Sequence, residues 1–263
     1  MVLTEMSESD LKLKNAPIVE ALVEIDCDLP AGTLLAELEE PARQAFDGSY
    51  PQMRIQQKIQ GEIRDRPDEV PAFSASPWEL SAFQFFQVDP VQVVQVREQG
   101  FSFNRLRPYT TLDDYMPEIR RCWDLYRQIA TPQLVRAIRL RYINRILLPV
   151  QGAVNFDQYF RIGPKIPDEE GMDLTGFLNQ YSAIERDSGH HILAILTAQP
   201  VEEPCWPVIL DITVGTTESH DADDLPWIED RIRSLRRLKN DVFRRTLTES
   251  CLSLFQHSKQ DLA

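Results

Sequence analysis

Ile18-Val19-Glu20-Ala21-Leu22-Val23-Glu24-Ile25-Asp26-Cys27-Asp28 alternates apolar and acidic residues from Val19 onward, Leu22 excepted. Val19, Ala21, Val23, Ile25 and Cys27 share one side, while Glu20, Glu24, Asp26 and Asp28 share the other with Leu22 among them. A period of two with one apolar side describes a strand that buries one face, which antiparallel sheets allow and wholly parallel ones rarely do. Pro30 and Gly32 end the run. Leu34, Leu35, Leu38, Ala42 and Phe46 then recur at helical spacing, interrupted by Pro41, up to a turn at Asp47-Gly48-Ser49.

Strand patterns follow at Met53 to Arg64, around Phe83 to Val88, and at Val91 to Arg97. The last is joined through Glu98-Gln99-Gly100 to Phe101–Leu106 as a hairpin. Residues 64–77, with Pro67, Pro71 and Pro77, read as a mobile surface loop. Tyr115, Ile119, Cys122, Trp123 and Tyr126 form one stripe of a helix over Leu112 to Ile129. The order then restarts. Gln133 to Pro149 is a long strand, a short helix begins at Phe156 to Phe160, and Pro164 to Gly171 is an acidic loop. Strands are expected at Tyr181 to Glu185, His190 to Ala198 and Val208 to Val214, and a closing helix at Leu225 to Phe255. The fold class expected is α+β: one unit over 1–263, its halves 16–130 and 133–257 repeating strand–helix–strands–helix, with helices packed on antiparallel sheet. The duplication rests on the order of patterns, since no identity between the halves is visible.

Composition narrows the function. The chain's 263 residues hold 41 acidic and 28 basic side chains, for a formal net charge of −13. Affinity for a phosphate backbone comes from counterions released at basic contacts, so this balance argues against a general nucleic-acid binder. The longest nearly apolar stretch, Ile192 to Ala198, is far short of the ~20 residues that cross a bilayer. The first residues lack an apolar core behind a basic start, and Cys27, Cys122, Cys205 and Cys251 lie far apart without zinc spacing. These features point to reduced thiols, no membrane and a cytoplasmic location.

Several short runs carry a resemblance. Asn15-Ala16-Pro17-Ile18-Val19-Glu20-Ala21 with Glu24-Ile25 is similar to the opening of a sporadically distributed, uncharacterised bacterial conserved-hypothetical family. Tyr50-Pro51, Gly100-Phe101-Ser102-Phe103-Asn104, Leu140-Arg141-Tyr142-Ile143-Asn144-Arg145-Ile146, Leu210-Asp211-Ile212 and Asn240-Asp241-Val242-Phe243 follow in the same order. The chain departs where relatives often carry a His in the last helix and it has Arg236-Arg237. The resemblance implies a single intracellular bacterial unit with the patchy distribution of mobile or defence-linked genes. It assigns no catalytic residue.

Charged side chains supply the candidate sites. Arg139, Arg141 and Arg145 fall on one face of a strand, with Leu140, Tyr142 and Asn144 on the other. Arg105 and Arg107 add a second strip of the same spacing. Guanidiniums on one sheet face are suited to clamping a phosphorylated ligand, and Glu20 and Glu24 are then candidate Mg²⁺ ligands. The competing reading is that acidic and basic strands lie side by side and neutralise one another. His190-His191 point to opposite faces of a strand and cannot readily share a metal. His220-Asp221-Ala222-Asp223-Asp224 precedes a helix and reads as its cap. That last helix is locally basic, and Arg233, Arg236, Arg237 and Arg244 are candidate contacts for an acidic partner or for RNA.

No G-x-S-x-G, Walker loop, H-E-x-x-H or dinucleotide glycine fingerprint is present. The leading expectation is therefore a non-catalytic accessory or regulatory protein with no cofactor. It would act on a protein partner through loops 64–77 and 164–171 and the last helix. The alternative is an enzyme or sensor of a nucleotide or polyphosphate, held by Arg139, Arg141 and Arg145 with Mg²⁺.

Overall fold

The structure, a computed structural model, describes residues 13–59, 61–64, 72–75, 77–150, 154–164 and 174–256. In chain order the elements are β1 (Ile18–Asp28), α1 (Glu39–Phe46), β2 (Gln52–Lys58), β3 (Gly61–Arg64), β4 (Ala72–Ala75), β5 (Glu79–Phe86), β6 (Gln92–Arg97) and β7 (Gly100–Leu106). Then come α2 (Leu112–Ala130), β8 (Leu134–Pro149), β9 (Leu178–Ile184), β10 (His191–Ala198), β11 (Cys205–Thr216), β12 (His220–Asp221), α3 (Leu225–Thr246) and α4 (Glu249–Ser253). The chain is α+β. Ten strands form one antiparallel sheet in the order β2-β5-β6-β7-β1-β8-β11-β10-β9, with β12 also on β8, and β3 pairs with β4 apart from it.

β1 and β8 lie side by side at the centre. Glu24 is opposite Arg139 and Leu22 opposite Arg141. β7 flanks β1 and β11 flanks β8, so each central strand is paired on both edges. The apolar side of β1 joins Phe101, Phe103, Leu140, Leu210 and Ile212 in one core. α2 closes that side over β7, and α3 closes it over β8 and β11. Phe101 meets the rings of Trp123 and Tyr126, each with centroids 5.7 Å away. Burying such aromatics contributes on the order of 2 kcal/mol or more per side chain.

Local chemistry sets the helix ends. The Thr111 hydroxyl accepts from the Asp114 N–H to start α2, which stops at Thr131 in the left-handed region (φ 44°). The Asp224 carboxylate accepts from the Trp227 N–H to start α3. His220 Nε2 lies 2.8 Å from that same carboxylate, so the acidic run before α3 is a cap, as read.

Three expectations need correction. The closing helix does not run unbroken to Phe255: Leu247 is extended and Thr248 caps the separate α4. The run Met53 to Arg64 is two strands, β2 in the main sheet and β3 outside it. Residues 72–75 of the expected loop are a strand, because Gly61–Arg64 supplies them a ladder partner. Residues 65–71 and 76 of that stretch, and residues 165–171 of the acidic loop, lie outside the described residues.

Candidate functional site

The candidate site is the face of the sheet on which no helix of the described residues packs. The pleat places Arg139, Arg141, Ile143 and Arg145 of β8 there, beside Glu20, Leu22, Glu24 and Asp26 of β1. The other parity of β8, from Leu140 through Tyr142 to Ile146, is buried beneath the helices. Thus the structure brings the two sequence-predicted groups together as neighbours.

What it brings together is already paired. Arg139 bonds Glu24 through Nε at 3.2 Å and Asp26 through Nη2. Its stem lies over Gly215, where a Cβ would come within 2.8 Å of the Arg139 Cγ. Arg97 of β6 reaches the same two carboxylates, Asp26 at 2.8 Å and Glu24 at 3.5 Å. Arg141 holds Asp211 of β11 with Nε and Nη2, the shortest contact being 2.6 Å. Arg145 donates to Glu202 at 2.5 Å and to Gln199 at 3.3 Å. Glu20 accepts from Asn104 of β7 at 2.8 Å, and Asn104 accepts in turn from Gln95 and Ser102. Separate polar groups, each crossing between neighbouring or next-neighbouring strands, therefore lie side by side on five strands from β6 to β11.

The arginines respond to these partners. Burial by itself would lower the Arg139 pKa, but its bonds to Asp26 and Glu24 outweigh that and hold it above the usual value. For Arg141 the bond to Asp211 dominates and again raises it. Both guanidiniums stay charged. The carboxylates that hold them would have to be displaced by any phosphate bound in their place.

Arg105 belongs elsewhere. It lies on the helix side of β7, its guanidinium 4.8 Å from the Tyr115 ring centre and bonded to the Pro108 carbonyl, so it does not extend the arginine strip. The physical reason is parity: Arg105 is opposite Ala21, an inward position of β1. Among the described residues no group of three or more His, Cys, Asp or Glu side chains gathers as a metal site. His190 is buried and His191 exposed, and β10 begins only at His191.

The open face changes character along the sheet. From β8 toward β9 apolar side chains enter it: Ile143, Leu147, Ile195 and Ile209 stand among Arg145 and Asp211, with Leu147 45% exposed. Two cavities on the helix side, one beside Tyr109 and Tyr142 and the other beside Trp123 and Ile228, each hold about 10 Å³, about the space of one water.

On α3, Arg233 is bonded to Glu229 at 3.2 Å and Arg236 to Asp113 at 2.8 Å. Arg237 is exposed and Arg244 half-buried, and neither has an ion-pair partner among the described residues. The four predicted partner contacts therefore divide into two neutralised residues and two that keep their charge unmatched.

Sequence reasoning missed Arg97 and Asp211 as members of the network. Asp211 left a signal: it is the one charge within Val208–Val214, an otherwise apolar and threonine-containing strand. Arg97 left none, because its role comes from a hairpin that folds it across β7 onto β1.

No family model matches the chain, and no curated protein is similar to it. No helix among the described residues is long and apolar enough to cross a membrane.

Proposed function

We propose that this protein is a non-catalytic accessory or regulatory module that binds a protein partner on the open face of its sheet. The observation that carries the reading is the network on that face. Its cations and anions are matched within the chain, held across strands, and interspersed toward β9 with Ile143, Leu147, Ile195 and Ile209. A surface with its charges already ordered loses little conformational freedom when it is covered, and the apolar side chains among them supply the driving force. The acidic total charge favours a protein over a nucleic acid. Arg237 and Arg244 lie on α3, on the other side of the sheet, and would serve a separate basic contact; a cytoplasmic location suits the thiols. The strand order also supports the reading of a duplicated chain. In each half the first strand is central, the last strand before the long helix pairs beside it, and the others step outward.

The experiment is recovery of the tagged full chain from its native host, compared with a Leu147→Glu/Ile195→Glu variant that keeps the same melting temperature. One defined protein should accompany the wild type, rebind when purified, and be lost with the variant. A partner that binds both alike, or a wild type that carries none, overturns the assignment of this face.

A further inference from the structure

The two ends of the sheet are built differently. β2, at one end, is exposed along most of its length and carries Arg54 and Lys58. Charged side chains of this kind keep an unpaired strand edge from accepting another chain. β9, at the other end, is Leu178-Asn179-Gln180-Tyr181-Ser182-Ala183-Ile184 and contains no charge at all. Among the described residues its only strand neighbour is β10. Leu178 is 67% exposed and Ile184 61% exposed, and both lie on the open face with Gln180 and Ser182.

From its ends inward the strand is close to a palindrome. Leu178 matches Ile184 as a branched aliphatic, Gln180 matches Ser182 as an uncharged polar residue, and Tyr181 stands at the centre. On the opposite parity Asn179 and Ala183 flank Tyr181, whose hydroxyl is anchored to the Ile162 carbonyl at 3.2 Å. Such symmetry has a consequence only when the strand meets a copy of itself running the other way.

We propose that two copies of this chain associate through β9, antiparallel, about a two-fold axis at Tyr181. Leu178 of each copy then faces Ile184 of the other, Gln180 faces Ser182, and the outward N–H and C=O groups of both edges complete a ladder. An isologous contact of this type closes on itself and stops at a dimer. The axis stands normal to the sheet, so the two open faces lie on the same side and join into one surface. Each copy carries a net charge of −13, so they approach at least cost where the surface is neutral, and β9 is such an edge. The near-palindrome favours a second copy over a foreign strand as the occupant.

Sedimentation of the full chain across a concentration series tests this. The wild type should reach a mass of twice 30.3 kDa. Gln180→Lys/Ser182→Lys places like charges opposite each other twice and should give a monomer, while Gln180→Lys/Ser182→Glu places opposite charges there and should restore the dimer. Both positions are exposed, so circular dichroism and melting temperature should not change. A wild-type monomer throughout the series, including one that pairs only with a different protein, overturns the proposal. So does a dimer that survives the double-lysine variant, or a Lys/Glu variant as monomeric as the double lysine. The mass is read without reference to any partner on the open face, so failure here leaves the proposed function intact.

Discussion

Replacing Lys239 with Met should stabilise the protein, and only below a particular pH. Lys239 lies on the inner side of α3, 8% exposed, with its Nζ 3.9 Å from the centre of the Tyr142 ring. Burial, then the nearby charges of Arg236 and Arg244, pull its amine from 10.5 down to about 7. A displacement of that size corresponds to about 5 kcal/mol. The ring face returns about 1–2 kcal/mol to the charged form, leaving a net cost of about 3 kcal/mol. The sign follows from proton counting. Between about 7 and 10.5 the unfolded chain binds more protons at this lysine than the folded one, so its contribution to stability rises with pH through that window. Below about 7 both states hold the proton, so the buried charge exacts its full cost. Met keeps the length, packs on an aromatic ring and has no charge to desolvate. Urea unfolding followed by tryptophan fluorescence, from about pH 6 to about pH 10, should show the variant more stable by about 3 kcal/mol at the acid end. The advantage should shrink steadily toward the alkaline end. A difference that does not vary with pH, or a variant less stable throughout, would refute the reasoning and show that the amine is solvated where it sits.

Other expectations concern the open face and its frame. Arg141→Ala strands the Asp211 carboxylate, which is 8% exposed, and should cost about 2–3 kcal/mol in urea. Arg145→Ala should cost under about 1 kcal/mol, because Glu202 stays solvated. Gly100→Ala should destabilise by about 3 kcal/mol or more, or prevent folding, since φ is +139° and a Cβ would lie 2.1 Å from the Ile25 carbonyl oxygen. A panel of nucleotides and polyphosphates with Mg²⁺ should leave the melting temperature unchanged. A rise that Arg141→Ala abolishes would favour the anion clamp instead. Alkylation of the native protein should reach Cys205 first, because burial pushes the thiols of Cys27, Cys122 and Cys251 up to about 12.

Period-two and helical patterns carried most of the architecture. β1, α2 and β8 stand within a residue or so of where their alternation places them, because each buries one continuous stripe. Where the reading failed, the cause was contact distant in sequence. Near Leu247 the one local sign of a break is the cap residue Thr248, which the continuing apolar stripe outweighs in the sequence, and the end of α3 follows from Phe160 bridging to Leu247 and Arg161 donating its N–H to the Thr246 carbonyl. The site divides in the same way. That Arg139, Arg141 and Arg145 share a face is a property of one strand and could be read from it. Which carboxylates they meet depends on strand order: Asp26 and Glu24 come from β1, Asp211 from β11, and neither adjacency is written in local pattern. Arg105 shows the limit of spacing alone, since an arginine at the right interval in a neighbouring strand lies on the opposite side of the sheet.

The central pairing of β1 with β8 also bears on how the chain is made. Glu24 and Arg139 are 115 residues apart, so when β1 leaves the ribosome its eventual neighbour has not been synthesised. Pairings over such distances are slow to form, and stopped-flow refolding of the full chain is expected on the millisecond-to-second scale of high-contact-order sheets. Until β8 arrives, one edge of β1 is open to the β1 of any other nascent chain. Glu20, Glu24, Asp26 and Asp28 then project from it without their arginines, and two such strands would set carboxylate against carboxylate. The acidic row that ends as one half of an ion-pair network is, during that interval, a guard against aggregation.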